Sequence, residues 1–409
     1  MFTDCIIMAG GSGTRLWPAS NSKLPKQFLS IPGGKTFFDA ALERAFTAVG
    51  TSGRVTIVTG QAHVPHVIRA CTTLSEDRRE RVAVIPEPVG RNTAAAIACA
   101  ARYIQLHSGP GRTALVLTSD HIIGPLTQFA DDALAAADLA QQGYLVVFGI
   151  SPTRPETGFG YIEAGKDLGI TGASTFSVTA FREKPDLATA EQFLKEGNFY
   201  WNSGMFAFSI EFILHEFDQH APEVLAAFQN LPKPNRNSAE DVQGLSILSQ
   251  WEGLAAAYQQ TPSISIDYAI AEHCQRVAMV RARFNWSDVG SWDDYSSLLA
   301  SFGIPHPTAE STPNKPTAEG AQPQNTQKEH AVVVQAPLQK APVYTVDSAN
   351  CFVDADIPVA LCGVDDLIVV IRHGTDGRPA TAMICKKGHS QQVKAIVEEF
   401  KQRGPQDLL

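Results

Sequence analysis

Residues 5–28, CIIMAGGSGTRLWPASNSKLPKQF, join an apolar run directly to a glycine-rich loop. The apolar residues at 5–9 predict a buried parallel strand. Gly10, Gly11 and Gly13 allow a tight turn and let backbone N–H groups approach a ligand closely. Because successive N–H donors at the carboxyl end of a strand bind anions, the stretch predicts a strand that ends in a phosphate-binding loop.

Two cationic side chains lie on the same loop. Arg15 follows the glycines, and Lys26 follows Pro25. The guanidinium of arginine is a planar fork that matches phosphate oxygens, whereas the ammonium of lysine is a compact point charge. The pair predicts a pocket for more than one phosphate.

Two common phosphate-binding motifs are not matched by this loop. A P-loop requires a Lys-Ser or Lys-Thr pair at a fixed distance from its glycines, and that pair is missing here. A dinucleotide fingerprint requires a third glycine where this chain has Leu16, which argues against a nicotinamide dehydrogenase.

The composition limits the class of protein. The 409 residues are 44% hydrophobic and 18% charged, as expected for a globular chain of two or three domains. The net charge of −9 argues against a nucleic-acid surface. No apolar run is long enough to span a membrane, and the first strand is too short for a signal peptide, so we expect no membrane partner and a cytoplasmic location.

Strand and helix patterns alternate through the first half of the chain. Apolar runs predict strands at 55–59, 82–85, 114–118 and 144–150, and alanine-rich stretches predict helices near 62–74, 93–106 and 126–142. This alternation predicts an α/β fold with a Rossmann-like doubly wound mixed sheet. Ligands are expected at the carboxyl ends of its strands.

Two of the strand ends carry candidate ligand-binding residues. In EPVGRNTAAAIA, residues 87–98, Asn92 is placed as an N-cap, Thr93 opens the helix and Arg91 adds a positive charge. In TSDH, residues 118–121, Asp120 follows a strand and suits a magnesium ion between carboxylate and phosphate. Taken singly, each pattern is more often an ordinary helix cap or turn, with His121 a bystander.

Later segments add polar residues to a strand-rich region. Gly158 lies in PETGFGYIE, residues 155–163, and Glu183 and Lys184 lie in FREKP, residues 181–185. Glycines here mark either a hairpin bend or close approach to a ligand, and an exposed Glu-Lys pair is often only a solvated strand end. Asn202 lies between apolar flanks in YWNSGMFAF, residues 200–208, and Trp201 and Phe206 are expected in the core.

Two further motifs carry acids. SISIDYAIAEH, residues 263–273, alternates like a strand and then offers Asp267 and Glu272, which we expect to be structural. FNWSDVGSWDD, residues 284–294, places Asp288 between Trp286 and Gly290.

Together these motifs resemble the sugar-1-phosphate nucleotidyltransferases, whose opening motif is GG-x-GTRL-x-P-x-S-x(3 or 4)-PK. Trp17 and the PKQF ending are similar to the mannose-1-phosphate guanylyltransferase branch, and the ordered motifs span residues 5–295. The chain departs from that branch at Asn21, where Arg is usual, and at Ala95, where Pro is common.

The resemblance implies a nucleotidyltransferase or GT-A-like fold and the transfer of GMP from GTP to α-D-mannose 1-phosphate with Mg²⁺. It implies that Arg15 and Lys26 are catalytic and that Asp120 and Asp288 hold the metal ion. The residues implied to bind nucleotide are Gly10, Gly11, Gly13, Thr14, Glu87, Arg91, Asn92 and Thr93. The residues implied to bind the sugar phosphate are Gly158, Glu183, Lys184 and Asn202.

The sequence predicts three regions. Residues 1–302 form the catalytic domain, the Pro-, Thr- and Gln-rich residues 303–342 form a low-complexity linker, and residues 343–409 form a small β-rich domain that ends in a helix. The last region resembles the carboxyl-terminal domain of bacterial guanylyltransferases. We expect it to pair between subunits of a homo-oligomer.

Three alternative functions are open at this stage. The chain could act on another hexose 1-phosphate, because the residues alone identify neither base nor sugar. It could be a non-catalytic relative that binds sugar nucleotides, although Arg15, Lys26 and both aspartates are present. A glycosyltransferase would need a D-x-D metal motif where this chain has Ser119-Asp120-His121.

Overall fold

A computed structural model describes residues 1–11, 13–31, 33–170, 172–235, 237–301, 333–334, 341–374 and 380–404. These residues form two compact units. Unit 1 comprises Met1–Gly11 and Phe38–Asp288, and unit 2 comprises the described residues of Ser12–Phe37 and Val289–Leu409. The predicted linker lies outside the described residues except for 333–334 and 341–342. The predicted boundary at residue 302 stays a prediction.

Unit 1 is built on one large mixed sheet and a two-stranded ribbon. The strands of the sheet are β1 (Asp4–Ala9), β2 (Arg54–Gly60), β3 (Val82–Glu87), β4 (Thr113–Thr118), β6 (Leu145–Ile150), β7 (Tyr161–Asp167), β8 (Thr175–Arg182), β9 (Phe199–Ser209), β10 (Glu240–Val242), β11 (Leu245–Ile247) and β12 (Val277–Arg281). The ribbon pairs β5 (Ile122–Gly124) with β13 (Asn285–Ser287).

The order of the strands explains the mixed character of the sheet. It runs β10-β11-β3-β2-β1-β4-β9-β6-β12-β8-β7, and the strands from β11 to β4 are mutually parallel. The long strand β9 enters antiparallel between β4 and β6, so the parallel half is joined to a mainly antiparallel half. The predicted α/β fold with a doubly wound mixed sheet is confirmed.

Helices cover the sheet, and their alanines allow close packing. They are α1 (Phe37–Val49), α2 (Val64–Cys71), α3 (Glu76–Arg79), α4 (Asn92–Ser108), α5 (Leu126–Gln141), α6 (Leu187–Glu196), α7 (Ile210–His220), α8 (Pro222–Gln229) and α9 (Leu254–Gln260). Residues 94–101 of α4 are all buried, and α4 packs against α7 and α8. Among the described residues, no helix combines the length and apolarity needed to cross a membrane.

The predicted binding segments of unit 1 follow neighbouring strand ends. The N–H of Ser119 donates to the carbonyl of Met8 over 3.2 Å, which aligns the ends of β4 and β1. Glu87 ends β3 opposite Gly60 at the end of β2. The carboxyl ends of these parallel strands therefore form one edge of the sheet, where ligands of α/β proteins bind.

The strand expected at residues 263–266 is wrong. These residues pair with no strand, and residues 267–271 form a short π-helix. The N–H of Ile266 donates to Oγ1 of Thr93 over 2.8 Å, and the carbonyl of Ile264 accepts from the N–H of Ala94 over 3.2 Å. Because α4 uses these backbone groups, they are not available to a β-ladder.

Unit 2 is rich in short strands, as predicted for the carboxyl-terminal region. Its elements are α10 (Trp292–Ser301), β14 (Val333–Val334), β15 (Val343–Val346), β16 (Phe352–Ala355), β17 (Val359–Cys362), β18 (Leu367–Arg372), β19 (Thr381–Lys386) and α11 (Val393–Arg403). One sheet has the order β14-β16-β18-β19, and a second pairs β15 with β17. Val393 and Val397 of α11 are buried, whereas Ile396 is 45% exposed.

The loop that carries Arg15 is held within unit 2. The indole of Trp292 donates to the carbonyl of Trp17 over 3.0 Å. The ring of Trp17 also lies 5.3 Å from that of Phe400 on α11. These contacts explain why residues after Gly11 group with the carboxyl-terminal strands rather than with β1.

Candidate active site

A cavity of about 240 Å³ opens in unit 1 beside β8 and β9. Ligand pockets commonly combine apolar walls with a few converging polar groups. Six of the residues predicted from the sequence line this cavity: Thr93, Gly158, Glu183, Lys184, Asn202 and Asp288. The fold therefore gathers residues from five separate segments of the chain.

Glu183 and Lys184 follow the end of β8 and form an ion pair. The Glu183 side chain is only 7% exposed, and that of Lys184 is 56% exposed. A Cβ added at Gly160 would lie 2.5 Å from Oε2 of Glu183, so a side chain there would displace the carboxylate from this position. The buried carboxylate of Glu183 can accept hydrogen bonds from hydroxyl groups, and the accessible ammonium of Lys184 can donate to phosphate oxygens.

Asn202 lies on β9 with both ends of its carboxamide bonded. Its Nδ2 donates to Oδ1 of Asp267 over 2.9 Å, and its Oδ1 accepts from the N–H of Gly204 over 3.1 Å. The residue is 8% exposed and its own N–H donates to the carbonyl of Gly160 over 2.8 Å. Asn202 is thus fixed in place before any ligand binds.

Asp267, which the sequence suggested was structural, lines the cavity. Burial, followed by the nearby carboxylate of Glu183, raises the pKa of Asp267 to about 6. The sequence signal was weak because Asp267 lies 65 positions from its partner Asn202. Only the fold brings the two together.

The ribbon of β5 and β13 carries the two predicted metal ligands. Ser287 pairs with Ile122 in this antiparallel ladder, so Asp288 directly follows this pair and Asp120 lies two residues before it. Asp288 lines the cavity, and the Asp120 side chain is 38% exposed. Carboxylate oxygens are ligands that a hard divalent cation prefers.

Aromatic rings support this ribbon. The indole N–H of Trp286 donates to Nδ1 of His121 over 3.1 Å, and the two rings meet edge to face at 5.2 Å. Phe159 lies against both Trp286 and Trp201, with ring centroids at 5.2 and 5.3 Å. Trp201 is buried as expected, whereas His121 is a wall of the cavity that the sequence had left aside.

Two buried charged side chains form hydrogen bonds with residues that flank the ribbon. Arg44 of α1 donates from Nη2 to the carbonyl of His121 over 3.1 Å, and burial lowers the pKa of Arg44 to about 10. Asp132 of α5 is fully buried and accepts from the backbone N–H and Nε of Arg283 over 2.8 and 2.6 Å. Both bonds join residues far apart in sequence, 77 positions for Arg44 with His121 and 151 for Asp132 with Arg283.

The start of α4 was predicted as a nucleotide-binding turn. The helix begins at Asn92 rather than Thr93, and Asn92 has a φ of 64°. Its Oδ1 accepts from the N–H of Thr93 over 2.8 Å. Arg91 donates to the carbonyls of Tyr258 and Gln259 over 2.9 and 3.1 Å, so its guanidinium is bonded to the end of α9.

Glu87 lies at the sheet edge beside the first glycine of the loop. A Cβ added at Gly10 would lie 3.7 Å from Oε2 of Glu87. Burial raises the pKa of Glu87 from 4.5 to about 7. Neither Glu87 nor the neighbouring Gly10 and Gly11 line the cavity.

This raised pKa predicts a pH-dependent stability. Because the folded-state pKa is above the unfolded-state value, the contribution of Glu87 to stability is full below pH 4.5 and is lost as the pH rises through 7. We expect Glu87→Gln to gain stability relative to the wild type by about 2 kcal/mol between pH 5 and pH 8. Urea unfolding at both pH values measures this gain. Glu191→Gln, an exposed change on α6, is the control, and parallel profiles for the two variants would contradict the prediction.

The remaining predicted residues belong to unit 2. Gly13 has a φ of 56°, and a Cβ added there would lie 2.5 Å from Cβ of Lys26, so glycine is required for the two segments to meet. Lys26 is 6% exposed and its Nζ lies 5.5 Å from the ring centre of Phe37. Arg15 is exposed, one residue after Thr14. Gly13 thus places both predicted catalytic cations on one compact loop.

The mixed sheet, with binding segments at the ends of its parallel strands, is the fold of a sugar nucleotidyltransferase. Residues 4–302 match the family model described as nucleotidyl transferase, and residues 342–400 match a MannoseP isomerase/GMP-like beta-helix domain. The chain belongs to the nucleotidyl transferase family and, within it, to the mannose-1-phosphate guanylyltransferases.

Individual relatives support this assignment. A mannose-1-phosphate guanylyltransferase of Sinorhizobium fredii is 40% identical over 70% of this chain. The matched part spans about half, 53%, of that relative's length. One from Klebsiella pneumoniae is 33% identical over 97% of this chain and 74% of its own. A crystal structure described as mannose-1-phosphate geranyltransferase from Thermus thermophilus is 27% identical with a TM-score of 0.74, covering 98% of this chain and all of that one. Nucleotidyltransferases of this family generally use a divalent metal ion.

Proposed function

We propose that this protein transfers GMP from GTP to α-D-mannose 1-phosphate and forms GDP-mannose and pyrophosphate. The observation that carries the proposal is the cavity of unit 1. It combines four residues predicted to bind a sugar phosphate with Thr93 of the predicted nucleotide segment and the predicted metal ligand Asp288. Relatives named mannose-1-phosphate guanylyltransferase supply the identity of base and sugar.

The reaction needs position and charge more than covalent chemistry. An oxygen of the sugar phosphate attacks the α-phosphorus of GTP in line, a new P–O bond forms, and the bond to the bridging oxygen breaks. Pyrophosphate leaves with the electron pair of that bond. Holding both phosphates in line converts a bimolecular encounter into a positioned step.

Each predicted residue has a role in this scheme. Arg15 stabilises the charge that develops on the departing pyrophosphate, since a guanidinium binds phosphate oxygens through paired hydrogen bonds. Lys26 and Lys184 hold the attacking phosphate. Glu183 accepts hydrogen bonds from sugar hydroxyls, and Asn202 both accepts from and donates to them. Both residues line the cavity, and the fold fixes the amide of Asn202.

We propose that Asp120 and Asp288 hold Mg²⁺. We also propose that the reaction takes place in the cytoplasm. Oxygen ligands on one short ribbon fit this ion, which usually keeps only one or two protein carboxylates. When bound, the ion neutralises phosphate charge and orients the phosphate oxygens. The two carboxylates also repel an unmetallated phosphate, so they help to make nucleotide binding depend on the cation.

A substrate matrix tests the proposed function. Four nucleoside triphosphates are each combined with several hexose 1-phosphates, and pyrophosphate release is measured with and without Mg²⁺. We expect GTP with mannose 1-phosphate to give the highest kcat/KM, and only with the ion. A preference for another pair would replace the substrates in the proposal, and no release from any pair would refute it.

We also propose that unit 2 pairs two subunits. Tyr344 and Val346 of β15 are 63% and 57% exposed, and both project from a strand that pairs with β17. Exposed apolar side chains that neighbour each other on one face of a strand favour association. The double change of Tyr344→Glu with Val346→Glu is expected to reduce the solution mass measured by light scattering. An unchanged mass would contradict this interface.

A further inference from the structure

Asn202 can face a sugar in only one orientation of its amide. If the carboxamide were rotated by half a turn, its oxygen would oppose Oδ1 of Asp267 and its NH₂ group would oppose the N–H of Gly204. Both contacts would be repulsive, because a carboxylate only accepts and a backbone N–H only donates. The observed orientation leaves one N–H and one oxygen lone pair of Asn202 for a ligand.

Asp267 is itself held by the predicted nucleotide segment. Ile266, the preceding residue, donates its N–H to Oγ1 of Thr93 over 2.8 Å. Two residues earlier, the carbonyl of Ile264 accepts from the N–H of Ala94 over 3.2 Å. Residues 264–267 therefore form a strap, bonded at one end to the first turn of α4 and at the other to Asn202.

The charges at this end of the cavity select the part of the substrate that it binds. The carboxylates of Asp267 and Glu183 lie close enough for Glu183 to raise the pKa of Asp267. Two acids and an amide suit neutral hydroxyl groups and repel a phosphate. Lys184, whose ammonium pairs with Glu183, provides the cationic end of the same cavity.

We propose that Asp267 is a positioning residue for the sugar of the hexose 1-phosphate: it fixes the amide of Asn202, and the strap of residues 264–267 links that amide to the nucleotide-binding turn at Thr93. The inference rests on the proposed function. It assigns to Asp267 a role in sugar affinity that acts through Asn202, and it predicts that Asp267 and Thr93 are energetically coupled in the binding of the sugar phosphate.

Steady-state kinetics of position 267 variants test the positioning role. In Asp267→Leu the acceptor is lost and the amide can rotate, so KM for mannose 1-phosphate should rise about 10- to 100-fold while KM for GTP changes about twofold or less. Asp267→Asn keeps an oxygen acceptor and should restore KM to within about threefold of the wild type. A purely structural role would lower the melting temperature and move both KM values together.

The matched control is Asp241→Asn. Asp241 is exposed on β10, at the opposite edge of the sheet from β7, and should leave both KM values unchanged. If Asp267→Leu leaves KM for the sugar phosphate unchanged, or if Asp267→Asn fails to restore it while folding normally, the positioning role is refuted.

The link to Thr93 is tested by a double-mutant cycle. Thr93→Val removes the acceptor for the N–H of Ile266, so the strap is released from α4. Combined with Asp267→Leu, its effect on KM for mannose 1-phosphate should be smaller than in the wild-type background. Strictly multiplicative effects would refute the coupling.

Binding measurements separate this inference from the reaction itself. Calorimetric titration of hexose 1-phosphates into the wild type and Asp267→Leu needs no turnover. If the wild type releases no pyrophosphate yet binds a hexose 1-phosphate more tightly than Asp267→Leu does, the proposed reaction fails and the role of Asp267 stands. Equal affinities of the two proteins would refute the role of Asp267, whatever the activity.

Discussion

Arg15→Ala is expected to lower kcat for pyrophosphate release by about 10³-fold, with a smaller change in KM. The side chain is exposed in the structure, so its truncation removes no packing from the core. Its cost should fall on the transition state, where charge accumulates on the departing pyrophosphate. Pyrophosphate release at saturating GTP and mannose 1-phosphate measures the effect, and circular dichroism checks the fold.

The control for this prediction is Arg69→Ala, which truncates another exposed arginine on α2. That variant should retain wild-type kcat. An Arg15→Ala enzyme with unchanged kcat would show that the loop binds substrate without stabilising the transition state. Arg15→Lys should recover only part of the loss, because an ammonium cannot match the paired geometry of a guanidinium.

Asp288→Asn is expected to lower kcat by about 10²–10³-fold and to weaken binding of the divalent cation. An amide offers one neutral oxygen where the carboxylate offers two charged ones, so the attraction to a cation is much reduced. Calorimetric titration of Mn²⁺ into the wild type and the variant reads cation affinity directly, without turnover.

Asp120→Asn should behave like Asp288→Asn, since both acids lie within two residues of the pair formed by Ile122 and Ser287. Asp131→Asn, an exposed change on α5, is the control and should alter neither kcat nor Mn²⁺ affinity. Wild-type cation affinity in Asp288→Asn would exclude that residue as a ligand.

The fold of unit 1 could be predicted well because its signals are local. Apolar runs and alanine-rich stretches gave β1 to β4, β6, α4 and α5 within about two residues, and strand–helix alternation gave the sheet class. The short elements α3 and β5 were missed. Residues 263–266 misled because Ile264 and Ile266 alternate like a strand, whereas their backbone bonds go to α4. Periodicity shows which side chains are buried, not which partner takes the backbone.

The site was only partly predictable, since its supports come from distant segments. No local pattern connects Asp267 with Asn202 or His121 with Trp286, which are separated by 65 and 165 positions. Strand β19 was also missed in the carboxyl-terminal region.

The structure gives a local reason for Asn21, where the guanylyltransferase branch usually has Arg. Its Oδ1 accepts from the N–H groups of Lys23 and Leu24, each over 3.0 Å. Asparagine therefore closes a turn between the glycine loop and Lys26, a role that an arginine side chain could not fill. Ala95 is fully buried near the start of α4, and nothing in the structure explains why this chain has alanine rather than proline there.

The three-residue ribbon of β5 and β13 restricts how this sequence can change in length. Successive residues of a strand face opposite sides, so deleting one residue of β13 would turn its remaining side chains to the other face. Loops elsewhere on the surface absorb insertions easily. Here a single lost codon would shift the register of the ribbon and move Asp288, a change that no point substitution could reverse.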